Sequence, residues 1–134
     1  MAKLGGKVAL ITGAARGQGR SHAVRLAEDG ADIVAVDIVA QIPTAYYPPA
    51  TPADLQLTAK LAEGEGARVL TAEADVRDQA ALDDVVTRTL AAFGHIDIVV
   101  ANAGTASHAP AWELSDAQWQ NVALPVDGGQ LTRG

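Results

Sequence analysis

Short, unbroken apolar runs separated by segments of helical periodicity recur along the chain and constrain its fold more than any other feature. Three runs, residues 8–11, 33–36 and 98–101, are wholly apolar, and residues 68–72 form a fourth, more mixed strand pattern. A run without polar alternation is typical of a strand buried on both faces. Strands that alternate with helices through short connections predict an α/β fold, a doubly wound parallel sheet of about four strands with right-handed crossovers.

Capping and stop residues mark the helices between these strands. The first helix is predicted over residues 19–28. Residues 51–54 supply a cap residue, a proline at the first helical position and an acid, so a second helix is expected to run from there to about Glu63. A third helix is predicted to begin after the cap residue Asp78 and to end at Gly94.

Two segments depart from this regular order. Residues 38–52 contain four prolines and predict a loop insertion between the second strand and the second helix. Ser115 and Gln118 form a capping box for a fourth helix that includes Trp119. Pro125 and the glycines after it stop that helix after about ten residues, which is abrupt.

The composition excludes several classes of protein. The 134 residues suit one domain and include no cysteine, which rules out disulfides and thiolate metal sites. The net charge is −6 and the basic residues are scattered, so nucleic acid is not an expected partner. No apolar run approaches the ~18 residues of a membrane span, and three dispersed histidines suggest no metal site. We expect a soluble protein that is not exported, with the cytoplasm as its location.

The glycine-rich segment at residues 12–19 lies between the first strand and the first helix, where open parallel sheets bind ligands. Gly13 permits a sharp turn, Gly17 lets the backbone approach a pyrophosphate, and Gly19 opens a helix whose N–H groups favour an anion. A glycine-rich turn between a strand and a helix predicts dinucleotide binding. The side chain of Arg16 either approaches a phosphate or is solvated.

Acidic residues close the next two strands. Asp37 lies 18 residues beyond Gly19, where a carboxylate can accept hydrogen bonds from ribose hydroxyls. It would repel a 2′-phosphate, so NAD is favoured over NADP; the alternative is a solvated aspartate at a strand end. Asp75 and Val76 are placed to meet the adenine edge, although a turn or helix-cap role for Asp75 is equally compatible with the sequence.

The Thr-Gly-x-x-x-Gly-x-Gly spacing, Asp37, Asp75-Val76 and Asn102-Ala103-Gly104 together resemble the amino-terminal half of a short-chain dehydrogenase/reductase, over residues 4–121. Residues 13–23, the proline-rich insertion and residues 97–104 resemble the carveol-dehydrogenase-like, mycofactocin-associated branch of that family. The resemblance implies a partial Rossmann-like sheet, tightly held NAD(H), and alcohols or terpenoid alcohols as substrates.

The resemblance also assigns the cofactor residues. It implies that the glycines cradle the pyrophosphate, that Asp37 holds the ribose, that Asp75-Val76 binds adenine, and that residues 102–104 line the cofactor. Ala101 stands where the family usually has asparagine. The full expected set is Gly13, Ala15, Arg16, Gly17, Gln18, Gly19, Asp37, Asp75, Val76, Asn102, Ala103 and Gly104.

Catalytic residues of the family are not found. Its members use a serine, a tyrosine and a lysine four residues after the tyrosine, but here Ala50 and Thr51 lie four residues beyond Tyr46 and Tyr47. Residues 122–129 resemble the family's carboxyl-terminal strand and tail. We therefore expect an internal deletion near residues 121–123, which divides the chain into an NAD-binding half, 1–121, and a remnant, 122–134.

Such a deletion predicts an exposed sheet edge, marginal stability, and association of the chain with itself or with a full-length relative. Three interpretations follow. The first, which we favour, is that the chain is an inactive product of an NAD-dependent dehydrogenase lineage. The second is an NAD- or adenosine-binding module that acts by sequestration or by pairing with a complete subunit. The third is an active enzyme with an unrecognised catalytic group.

Overall fold

Strands and helices alternate from the start of the chain, as the apolar runs predict. The computed structural model describes residues 2–43, 45, 47–104, 110–113 and 115–116. In order, the elements are β1 (Val8–Thr12), α1 (Gly17–Glu28), β2 (Asp32–Asp37), α2 (Pro52–Gly64), β3 (Val69–Glu73), α3 (Gln79–Phe93) and β4 (Ile98–Val100). A 3₁₀ helix at Ala111–Glu113 follows, which the sequence analysis did not predict.

The predicted caps of α2 and α3 are present, and the boundaries of the elements shift by one or two residues. Thr51 and Asp54 form the reciprocal capping box of α2, and Asp78 accepts a hydrogen bond from a backbone N–H in the first turn of α3. Helix α1 begins at Gly17, two residues earlier than expected, because the Arg16 carbonyl already accepts a hydrogen bond from the Arg20 N–H. Residues 117–134, which include Gln118 and Trp119 of the predicted fourth helix and the predicted remnant 122–134, lie outside the described residues.

The four strands form one parallel sheet in the order β3-β2-β1-β4. From β1 the chain moves outward to β2 and β3, and then returns across the sheet to place β4 on the other side of β1. Since crossovers between parallel strands are right-handed, this reversal of direction puts α1 and α2 on one face and α3 on the other. The fold is therefore the predicted doubly wound α/β sheet.

Side chains of β1 alternate between two cores. Ala9 and Ile11 pack with buried residues of α1 and α2, including Leu55. Val8 and Leu10 pack on the opposite face, in the cluster that contains Val85 of α3. None of the described helices combines the length and apolarity needed to cross a membrane.

Strand β4 lies at an edge of this sheet. Its hydrogen-bonded neighbour among the described strands is β1, with Val99 opposite Leu10. Val99 is 65% exposed although Leu10 is buried, so the α3 face of β4 carries an apolar side chain without cover from the described residues.

Candidate functional site

A cavity of about 360 Å³ opens at the carboxyl ends of the strands. Gly13 follows β1, Asp37 ends β2, Asp75 follows β3 and Asn102 follows β4, and all four line it. The neighbouring strands β1 and β4 have their connections on opposite faces, and ligands of open α/β sheets bind at such a switch point. The volume lies within the range of small-molecule sites.

Nine of the twelve predicted cofactor residues line this cavity: Gly13, Arg16, Gln18, Asp37, Asp75, Val76, Asn102, Ala103 and Gly104. Ala15, Gly17 and Gly19 do not line it. The loop insertion contributes a further wall that the sequence analysis did not assign: Ile38, Ala40, Gln41, Ile42, Ala45, Tyr47, Pro49 and Ala50.

Two glycines give the loop between β1 and α1 its shape. Gly13 has φ +66°, and a Cβ there would lie 2.9 Å from the Ala103 Cα, so both the conformation and the close approach require glycine. Gly17 has φ +59°, and a Cβ there would meet no described atom within 4 Å. The backbone at Gly17 therefore presents an open surface beside the start of α1.

Gly19 contributes through packing. A Cβ on this residue would lie 2.0 Å from the Gly13 carbonyl oxygen and 2.8 Å from the Asn102 side-chain nitrogen. Gly19 is the third residue of α1 and is buried, so it does not open the helix as the sequence analysis expected. The absence of a side chain allows α1 to approach the ends of β1 and β4.

Asn102 joins the carboxyl ends of β1 and β4. Its side-chain Nδ2 donates hydrogen bonds to the backbone carbonyls of Thr12 (3.2 Å) and Gly13 (3.3 Å). The Thr12 hydroxyl accepts from the backbone N–H groups of Asn102 (3.1 Å) and Ala103 (3.0 Å). These bonds join the ends of β1 and β4 next to the cavity; Thr12, to which the sequence assigned no role, supports Asn102 and Ala103 without lining the cavity itself.

Asp37 is tied to the glycine-rich loop. Its Oδ2 accepts a hydrogen bond from the Ala15 N–H (3.1 Å), and its Oδ1 accepts one from the Val39 N–H (3.0 Å). Val39 has φ +46°, a strained conformation for a β-branched residue. Asp37 is therefore more than a solvated aspartate at a strand end, because its carboxylate joins two backbone segments; its contact with ribose stays a prediction.

Asp75 has the turn role that the sequence left open. Its carboxylate accepts hydrogen bonds from the backbone N–H (2.9 Å) and guanidinium of Arg77, the shortest side-chain contact being 2.7 Å. The hydrogen bond from the Arg77 side chain holds the pKa of Asp75 below its usual value, although partial burial acts in the opposite direction. Asp75, Val76 and Arg77 all line the cavity, so the Asp75 carboxylate stands there as an ion pair with Arg77.

Arg16 is exposed, as its solvated alternative predicts, but its side chain also bonds to the loop insertion. Its Nη2 donates a 2.6 Å hydrogen bond to the Pro48 carbonyl, and its guanidinium carbon lies 5.6 Å from the centre of the Tyr47 ring. The side chain therefore fastens the loop insertion to the glycine-rich loop while it remains exposed; contact with a phosphate stays a prediction.

Two further polar residues that the sequence analysis did not assign support the loop from the opposite side. Arg20 donates hydrogen bonds to the carbonyls of Ala15 (2.5 Å) and Asp54 (2.9 Å). The fully buried Thr58 donates to the Ala14 carbonyl (2.7 Å). No sequence signal identified Thr58, because it occupies an ordinary interior position of α2.

The described residues supply no metal centre: they contain no group of three or more His, Cys, Asp or Glu side chains arranged to hold an ion. Tyr47 lines the cavity, and Tyr46 lies outside the described residues. The chemistry that this arrangement supports is recognition, by an open backbone loop at a helix N-terminus with carboxylates on two sides.

Known proteins resemble the chain strongly in sequence. It is 54% identical over 120 residues to an uncharacterised NAD-dependent oxidoreductase of Mycobacterium tuberculosis, covering 89% of this chain and 44% of the relative. It is 50% identical over 107 residues to (−)-trans-carveol dehydrogenase of Rhodococcus erythropolis, covering 80% of this chain and 39% of the relative. The chain therefore spans less than half the length of these curated relatives.

The chain also resembles a solved structure and matches a family model. Carveol dehydrogenase from Mycobacterium avium, crystallised in complex with NAD, superimposes with a TM-score of 0.86 at 48% identity, covering 90% of this chain and 44% of that one. Residues 7–124 match the family model described as short chain dehydrogenase. The chain thus belongs to the short-chain dehydrogenase family.

Proposed function

We propose that this chain is the NAD(H)-binding half of an alcohol or carbonyl oxidoreductase. The observation that carries the proposal is the hydrogen bond between Asp37 and the Ala15 N–H, which brings an acidic strand end against a glycine-rich loop at the switch point of the sheet. The open backbone surface at Gly17 leaves room for a phosphate beside the N-terminus of α1, whose N–H groups attract anions.

The residues around the cavity fit the parts of NAD. The loop at Gly13 and Gly17 with the start of α1 would hold the pyrophosphate, and the carboxylate of Asp37 would accept hydrogen bonds from ribose hydroxyls. Asp75 and Val76 would receive the adenine edge, while residues 102–104 would line the cofactor. The negative charge of Asp37 favours NAD over NADP, whose 2′-phosphate it would repel. The bound nicotinamide would supply hydride transfer.

Calorimetric titration of NADH into the purified chain tests this proposal. We expect saturable binding that is abolished or greatly weakened in Asp37→Ala. The control is Asp84→Ala, which removes the same charge from an exposed position of α3 whose nearest cation, on Arg88, is 3.9 Å away. No binding by the wild-type chain, or equal binding by Asp37→Ala, would overturn the proposal.

We further propose that the parent reaction interconverts alcohols and carbonyls, with terpenoid alcohols as the candidate class, and that these 134 residues do not catalyse it alone. The 50% identity to a carveol dehydrogenase supports the class. The lack of a lysine four residues after either tyrosine supports inactivity. Incubation of the chain with NAD and carveol should give no rise in absorbance from NADH, and turnover would contradict this part.

A second proposed function is association: β4 pairs with a second copy of this chain. The exposed Val99 on the edge strand favours it, because open apolar edges promote pairing between chains. Light scattering after size exclusion should show a dimer for the wild type and a monomer for Val99→Lys. A monomeric wild type, or a dimer that survives Val99→Lys, would overturn it.

The internal division of the chain also remains our proposal, with residues 1–121 as the cofactor-binding half and residues 122–134 as a remnant of the family's carboxyl-terminal strand and tail. The resemblance of residues 122–129 to that strand and tail supports it. Sequencing of the coding DNA across codons 121–123 in independent isolates tests it: an uninterrupted reading frame that encodes the catalytic half would contradict it.

A further inference from the structure

Arg20 lies on the first turns of α1 and reaches back beneath the glycine-rich loop. Its guanidinium donates to the Ala15 carbonyl (2.5 Å), to the Asp54 carbonyl in α2 (2.9 Å) and, through Nε, to the Thr58 hydroxyl (3.0 Å). All three acceptors are neutral oxygens. Because the side chain is partly buried and held from three directions, its position is fixed by the packing of α1 against α2.

Thr58 completes this arrangement from α2. Its hydroxyl hydrogen lies within reach of two loop carbonyls, those of Ala14 (2.7 Å) and Ala15 (3.2 Å), while the same oxygen accepts from Arg20. The side chain is fully buried. Removing its hydroxyl would leave buried carbonyl oxygens without this partner, and buried polar groups are costly to leave unpaired.

The planarity of the peptide bond converts these contacts into an orientation of N–H groups. In a trans peptide, the carbonyl of one residue and the N–H of the next point in opposite directions. With its carbonyl held by Thr58, Ala14 directs the N–H of Ala15 away from α2, where it meets Asp37 at 3.1 Å. The Ala15 carbonyl, held by Arg20, likewise directs the N–H of Arg16 away from α2.

We propose that Arg20 and Thr58 are positioning residues of the pyrophosphate site. They hold the carbonyl oxygens of Ala14 and Ala15 on the α2 side of the loop. The partial negative charge of these oxygens is thereby kept away from the side on which the pyrophosphate would bind. The N–H groups of the following residues then point toward Asp37 and the cavity. This inference rests on the proposed NAD-binding function and extends it to two residues that do not line the cavity.

The first test compares ligands that do and do not carry the pyrophosphate. In Thr58→Val, calorimetry should show an affinity for NAD reduced about tenfold, the effect of misplacing one hydrogen-bond donor. The affinity for adenosine, which lacks the phosphates, should change less than about twofold. Thr58→Ser keeps the hydroxyl and should restore NAD binding.

A matched control is available in α3. Thr89 is also fully buried, and its hydroxyl donates to the Val85 carbonyl one turn earlier, but it is not bonded to the loop. Thr89→Val should therefore leave the affinities for both ligands unchanged. Equal loss of NAD and adenosine binding in Thr58→Val would show a general structural role and overturn the inference, as would wild-type affinity for NAD in that variant.

Hydrogen exchange in the cofactor-free chain separates this inference from the proposed function. The amides of Ala15 and Arg16 should exchange faster in Thr58→Val and in Arg20→Gln than in the wild type. They should not change in Thr89→Val or in Arg25→Gln, which alters a mostly exposed arginine paired with Glu28. A wild type that binds no NAD would refute the proposed function, whereas unchanged exchange in both loop variants would refute the positioning role.

Discussion

The Oδ2 atom of Asp37 accepts a hydrogen bond from the backbone N–H of Ala15 at 3.1 Å, so the last residue of β2 braces the loop that follows β1. A carboxylate here therefore has two tasks: it orders the backbone that faces the phosphates, and its remaining lone pairs stay available to ribose hydroxyls. Cofactor selectivity and loop geometry consequently depend on the same side chain.

Asp37→Asn should change cofactor preference. The amide retains the approximate shape of the side chain but removes the negative charge that repels a 2′-phosphate. We expect the affinity for NAD to fall about tenfold, because hydrogen bonds to a charged acceptor are stronger than neutral ones. The affinity for NADP should fall less or rise. Calorimetric titrations with both cofactors measure the ratio, and Asp84→Asn provides the charge control; an unchanged ratio would contradict the assignment of Asp37.

Gly19→Ala should destabilise the chain. The added Cβ would lie 2.0 Å from the Gly13 carbonyl oxygen, so α1 or the loop must move, and overpacking of this kind costs about 1–3 kcal/mol. Gly64→Ala is the matched control, since Gly64 is also in a helix but a Cβ there meets nothing within 4 Å. Denaturant unfolding of both variants measures the difference, and equal midpoints would show that the packing account is wrong.

The strands and the caps of α2 and α3 were predictable because their signals are local. The apolar run of β1 and the capping pair Thr51 and Asp54 are each contained within a few residues, and hydrophobic period and cap chemistry act over that distance. The grouping of the predicted cofactor residues at the carboxyl ends of the strands was also predictable, since a parallel sheet brings those ends to one side.

The contacts that hold the loop were not predictable in the same way. Arg16 bonds to Pro48, 32 residues away, and Thr58 bonds to Ala14, 44 residues away. Such pairs depend on how closely α2 and the insertion approach the loop, and no periodicity or motif encodes that distance. The role of Gly19 was misassigned for the same reason. Only the packed structure shows how close the Gly13 backbone lies to Gly19.

Arg16→Gln should loosen the loop insertion. The substitution removes the 2.6 Å hydrogen bond to the Pro48 carbonyl and the contact with the Tyr47 ring, and exposed cation–π contacts contribute about 0.5–1 kcal/mol. We expect faster proteolytic cleavage within residues 38–51 and little change in global unfolding. Arg88→Gln, which alters an exposed arginine of α3, is the control. Cleavage at the wild-type rate would mean that Arg16 does not hold the insertion.

Asp97→Asn should lower stability at neutral pH and much less in acid. The Val8 N–H hydrogen bond, followed by that of His95, holds the pKa of the Asp97 carboxyl below its usual value, with partial desolvation opposing them. A carboxyl with a lowered folded-state pKa contributes stability above its unfolded pKa of about 4, and this contribution is lost as the pH falls through the lower folded value. The melting temperatures of wild type and variant should therefore differ at pH 7 and pH 5 and converge below about pH 3. A difference in melting temperature that stays constant across this range would show that ionised Asp97 does not stabilise the start of β1.

Asp84→Asn is the control for this comparison, because it removes an equal charge from α3 without touching β1.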